Sequence, residues 1–183
     1  MPRVARLPVQ RGFTLIELMV GLAIAVILLL LAAPGYSRWI ADSQIAAAAS
    51  AMADGIRFAQ AEAIMRNTGV EFTVGTDAWH VNVVGKTDKL REGVFAEGAK
   101  LAETHPTPPN STTVTFNAFG MILPANANVP TEPITQVDVT MSSASKPTGL
   151  RVLIANGAGG SGVRVCDPDP NLVWPTDGKA CPT

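Results

Sequence analysis

Glu17 sits in a setting that calls for chemistry. It is the single charge among the twenty-one residues from Phe13 to Ala33, one helical turn inside an otherwise apolar run. A carboxylate held among aliphatic side chains in a bilayer costs about 2.5 kcal/mol or more, so it needs a cationic partner. Cutting the peptide bond between Gly12 and Phe13 supplies one, a new α-amino group four residues away and at the same depth. The remaining candidates are poorer. A catalytic centre needs a nucleophile, a base within hydrogen-bond reach and a group to orient it. His80 and His105 are the two histidines; the first falls in a strand pattern and the second opens a proline-rich stretch. Gly157 to Gly162 lacks a following Lys-Ser/Thr and leads into a β-branched strand, which makes it a hairpin connection and not a phosphate cradle. Asp167 and Asp169 alternate with prolines and read as a turn, because calcium takes six or more oxygens. No enzyme, metal site or cofactor is expected.

The element that must carry Glu17 is the apolar run itself. Twenty-one helical residues reach roughly 30 Å, the hydrocarbon thickness of a bilayer. A cleavable secretory signal has a shorter core, about 7 to 15 residues, followed by a small-residue cleavage site; here Pro34 follows Ala32-Ala33. Arg3, Arg6 and Arg11 precede the run and hold that end in the cytoplasm. The rest of the chain is therefore expected beyond the inner membrane. The net charge of −1 becomes −4 once Met1 to Gly12 leave, with eleven basic side chains against fifteen acidic ones. Cys166 and Cys181 agree with that compartment: two cysteines there read as a disulfide, closing a loop worth roughly 3 kcal/mol in the chain-entropy model. Zinc would want four ligands.

Gly12-Phe13-Thr14-Leu15-Ile16-Glu17 plus the apolar run resembles the class III signal of type IV prepilins and type II secretion pseudopilins. The resemblance implies that a prepilin peptidase cleaves after Gly12 and methylates Phe13, and that Glu17 pairs with the N-terminus of a neighbouring subunit as the helices pack into a filament. Ser43-Gln44-Ile45, Ala59 to Ala63, Arg66-Asn67, Phe116 to Gly120 and Val163 to Pro168 are similar to the FimT, FimU and GspH branch of minor pilins and pseudopilins. The implied partners are other pilins or pseudopilins, the peptidase and an inner-membrane assembly platform. The implied destination is an extracellular pilus or a periplasmic pseudopilus. Some FimT-like minor pilins bind DNA for transformation through a Gly-Arg-x-Arg-x-Cys pattern. Aligned on Cys166, this chain keeps Arg164 but has Gly162 at the other arginine position. Arg151 and Lys179 are the cations that could join Arg164. In an acidic domain these supply little of the counterion release that drives non-specific binding, so DNA is the alternative partner and not the favoured one.

The fold expected is α+β and pilin-like: a leader over 1–12, a membrane and assembly helix over 13–34, an amphipathic half of the same helix over 35–68, and a β-rich domain over 69–183. Pro34-Gly35 should break the helix by a kink or short melted stretch, with Tyr36 and Trp39 at the membrane boundary. Beyond it, Ile45, Ala49, Met52, Ile56, Ala59 and Ala63 form one buried stripe, opposite Asp42, Gln44, Asp54, Arg57, Gln60, Glu62 and Arg66. Val70, Phe72 and Val74 alternate, as do Trp79, Val81 and Val83, giving an antiparallel hairpin. Gly85 to Arg91 reads as a charged loop and His105 to Asn110 as non-strand, since prolines remove donors. Further strands are expected at Thr112 to Phe116, Gln136 to Met141, Leu150 to Ala155 and Gly162 to Cys166, ending in a disulfide-stapled tail.

Overall fold

A computed structural model describes residues 13–75, 78–95, 102–128, 130–141, 149–157, 160–172 and 176–182. The leader, with Gly12, lies outside the described residues. One helix, α1, runs from Leu15 to Arg66. Of the kink or short melted stretch expected at Pro34-Gly35, the melted stretch does not occur: both residues are helical. Proline removes one backbone donor, and the hydrogen bonds of the residues around it suffice to carry the helix on. The chain divides into two compact units, Met1–Trp39 and Ile40–Thr183, with the division inside α1.

In the second unit the stripe predicted from sequence is the face that packs. Ile45, Ala49, Met52, Ile56, Ala59 and Ala63 are all essentially inaccessible, joined by Ala48 and Ala53. Alanine and glycine let the sheet come close: a Cβ added at Gly55 would lie 2.7 Å from the Trp79 ring. Glu62, assigned to the polar face, is instead buried, and its carboxylate accepts a hydrogen bond from Arg66 one turn on. α1 ends at Asn67, whose positive φ of 49° is the left-handed turn a helix C-terminus favours.

Among the described residues eight strands follow, in two four-stranded antiparallel sheets, as the expected antiparallel β domain requires. The first sheet is ordered β3-β2-β1-β5, from β1 (Val70–Val74), β2 (Ala78–Val83), β3 (Lys89–Val94) and β5 (Thr113–Phe116). The second is β4-β6-β7-β8, from β4 (Ala102–Thr107), β6 (Gln136–Met141), β7 (Leu150–Gly157) and β8 (Gly160–Cys166). Val70, Phe72, Val74, Val81, Val114 and Phe116 of the first sheet join Val137, Val139, Val152 and Ile154 of the second in one core with the helix stripe.

Two sequence expectations are corrected at sheet edges. The charged segment expected as a loop contributes Lys89 to Arg91 to β3, which pairs with β2 through a bulge at Val81/Asn82. His105, Pro106 and Thr107 lie in β4 opposite Asp138, Val137 and Gln136. As β4 is an outer strand, one side of it needs no donors, which is where proline is tolerated. After β5 the chain turns back on itself, and Ile122 makes an isolated antiparallel bridge to Phe116.

Candidate assembly surface

α1 begins with a capping interaction that the sequence reading missed. The Glu17 backbone N–H donates to Thr14 Oγ1 at 3.3 Å, which makes Thr14 the N-cap and places Glu17 at the third helical position. Thr-x-x-Glu ahead of an apolar run was the available signal. A carboxylate in the first turn is also favoured by the partial positive charge of the helix start. Glu17 therefore stands where the helix dipole suits a carboxylate.

Around it every described side chain is bare. Phe13 is 84% exposed and Leu31 is 73% exposed, with Leu15, Ile16, Leu18, Leu22, Ile27 and Leu28 between them exposed as well. Soluble monomers do not present an apolar surface of this extent; it marks contact with lipid or with other chains. The described side chains of the run end at Leu31, and among the described residues no helix is long and apolar enough to cross a membrane. Tyr36 and Trp39 stack with ring centroids 6.2 Å apart and both are exposed.

At the other end of the chain, the Cys166–Cys181 disulfide is formed. The tail it closes also bonds by backbone, Asp167 N–H to the Lys179 carbonyl at 2.7 Å. Asp167 and Asp169 form the expected turn: Asp167 Oδ1 accepts from the Asp169 N–H and Asp169 Oδ1 from the Asn171 N–H. Arg151 and Arg164 lie on neighbouring strands, Arg151 opposite Cys166 and Arg164 opposite Leu153. Arg151 is engaged, holding Asp138 with Nε at 2.7 Å and Nη2 at 2.9 Å, and this pairing raises its pKa. Its charge is thus compensated within the domain, and Lys179 sits exposed in the tail. The histidines are not brought together: His80 is on β2 of the first sheet and His105 on β4 of the second.

A family model of the prokaryotic N-terminal methylation motif matches residues 7–33, and that of the type II transport protein GspH matches residues 48–166. The chain belongs to the GspH family. GspH-family chains are pilin-like structural subunits and not enzymes. Among curated proteins, the type IV major fimbrial protein FimA of Dichelobacter nodosus is 42% identical over 86 residues, which are 46% of this chain and 51% of FimA. The GspH-family chain thus spans about half the length of that relative. Two crystal forms of the type IV minor pilin FimU of Pseudomonas aeruginosa are similar at 14% and 15% identity. They cover 64% and 67% of this chain and 90% of theirs, with TM-scores of 0.46 and 0.49.

Proposed function

We propose that this chain is a minor pilin or minor pseudopilin, made as a single-pass inner-membrane precursor with a cytoplasmic leader and a periplasmic domain. It is trimmed at Gly12, methylated at Phe13 and incorporated near the tip of a type IV pilus or a secretion pseudopilus. The observation that carries this reading is the bare apolar helix from Phe13 to Leu31 with Glu17 as its lone charge. An amine freed at Phe13 of one subunit and Glu17 of the next neutralise each other in lipid, where an uncompensated carboxylate is costly. Residues 13–34 act in the membrane and between subunits, 35–68 pack on the domain, and 69–183 present the surface that chooses partners. Pro34 and Gly35, helical here, are the weakest point of α1, since proline removes one hydrogen bond and glycine favours the helix less than other residues. A subunit entering a curved filament would bend there.

The test is a pair of variants in the native cell. Gly12→Ser should leave an uncut precursor heavier by about a dozen residues, read by mass spectrometry. Glu17→Val should insert into the membrane, be trimmed, and fail to enter filaments; normal incorporation of Glu17→Val refutes the pairing. Neighbouring genes separate the two machines, other minor pilins pointing to a pilus and secretion components to a pseudopilus.

A further inference from the structure

Trp79 carries the one side-chain polar atom that is buried with no hydrogen-bond partner among the described residues, its indole Nε1. The residue is 3% exposed. What seals the N–H is the backbone of one strand: a Cβ added at Gly93 of β3 would lie 2.6 Å from Nε1, while one added at Gly55 of α1 would lie 2.7 Å from Cζ3 on the far side of the ring. A desolvated donor without an acceptor penalises the state that buries it, and the penalty vanishes in any state that lets water in. Here the penalised state is the one in which β3 is paired.

Little else holds β3 down between its ends. It is an outer strand, and its ladder to β2 is interrupted by the bulge at Val81/Asn82. Among its side chains Leu90 packs against the core, and only in part. Lys89 and Glu92 pair with each other in solvent at 2.7 Å, and Val94 is exposed. Arg91, exposed, lies over the rings of Phe58 and Trp79 with its guanidinium carbon 5.2 and 5.9 Å from their centroids. The ends are different. Phe95, directly after β3, is buried. Before β3, the Lys86 N–H donates to the Val83 carbonyl at 2.9 Å and Asn82 Nδ2 to the Lys86 carbonyl at 3.3 Å, around Gly85 with its φ of 77°. We infer that residues 89–94 form a strap, pinned at both ends, that bows off the domain as a unit, and that the unpartnered indole N–H sets how often it opens. The open strap bares the backbone edge of β2 and the Trp79 ring together, neither of which the closed domain presents.

The test is amide hydrogen exchange of the full chain in detergent micelles, read by mass spectrometry on peptides covering 89–94, with 70–74 of β1 as the internal reference. In the wild-type protein β3 should exchange at least about tenfold faster than β1. Trp79→benzothienylalanine keeps the bicyclic shape and sets sulfur where the N–H was; it should slow β3 at least about fivefold and leave β1 unchanged. Arg91→Gln, at an exposed position, removes the cover over both rings and should quicken β3 alone by about two- to fivefold. Equal protection of β3 and β1 overturns the strap. Unchanged exchange of β3 in the benzothienylalanine protein overturns the role of the N–H, and so does faster exchange, which would mean that an ordered water already satisfies it. Should that protein fail to fold, Arg91→Gln decides: unchanged exchange of β3, or β1 quickening equally, overturns the strap.

Discussion

Gly93 and Gly162 are both strand glycines, and the space around them differs completely. A Cβ at Gly93 would fall 2.4 Å from the Trp79 ring, while one at Gly162 meets nothing within 4 Å. The Trp79 ring is buried under β3 and bounded on its other side by Gly55, so it has nowhere to move. Gly93→Ala should therefore lower stability by about 1–3 kcal/mol, the usual result of overpacking. Gly162→Ala should be neutral or stabilising by up to about 1 kcal/mol through the unfolded chain. Denaturant midpoints of the two variants check the contrast. His80 gives a pH dependence of known sign. Burial first, and then the Lys89 charge, lower its pKa from the ordinary 6.5. The unfolded chain then binds the proton more readily than the folded one, so stability rises with pH between the folded value and 6.5 and is lost as the solution is acidified through that window. His80→Gln should flatten the acid limb of a midpoint-against-pH curve in that window; an unchanged slope would place the dependence elsewhere.

Among the elements, the loop after β5 is held by a carboxylate that no sequence pattern marked. Glu71, on β1, is buried, and its Oε1 accepts from the Asn128 N–H at 3.2 Å and from Thr115 Oγ1 at 3.4 Å. Asn126, also buried, donates from Nδ2 to the Thr113 carbonyl at 2.9 Å and to Thr131 Oγ1 at 3.1 Å. Glu71→Ala strips partners from buried donors and should cost about 1–3 kcal/mol. Hydrogen exchange should show early loss of protection at Asn126 and Asn128, and unaltered exchange there would mean the loop is held by other contacts. An alternation of apolar and polar residues cannot announce such a network, because Glu71 occupies a position the period assigns to solvent. The same limit explains β3. Lys89-Leu90-Arg91-Glu92-Gly93-Val94 is an outer strand whose charges discourage further pairing, and the bulge opposite Val81/Asn82 breaks its period. Arg91 also covers Phe58 from 5.2 Å, so a charged residue in the sequence serves as a lid on an aromatic. By contrast β1, β2, β6 and the helix stripe were legible, because each buries one face against the same core and repeats at the period that face imposes.

For the whole molecule, the two ends of the chain are stabilised by different means. The first unit leaves its apolar side chains bare for lipid or neighbours, whereas the second holds a packed core and closes its C-terminal segment with a covalent link. Among its described ties are backbone bonds from Asp167 to Lys179 at 2.7 Å, from Cys181 to Asp167 at 3.2 Å and from Ala180 to Asp177 at 3.0 Å, the side-chain bonds of the Asp167–Asn171 turn, and the buried methyl of Ala180. The sequence showed that a tail with four prolines and no strand period would need a staple, and the two cysteines fit that need. A link across fifteen residues contributes about 3 kcal/mol by limiting the unfolded chain. The Cys166→Ser, Cys181→Ser double variant should lose about that much in the unfolding of the second unit, and wild-type protein unfolded with a thiol reductant should fall on the same curve. Membrane partition of the full chain should not change, because Phe13 to Leu31 carry it and neither cysteine lies there. If the oxidised and reduced proteins unfold at the same denaturant concentration, the tail is held by its packing on β8 and the link is dispensable; if partition changes too, the two ends do not act independently.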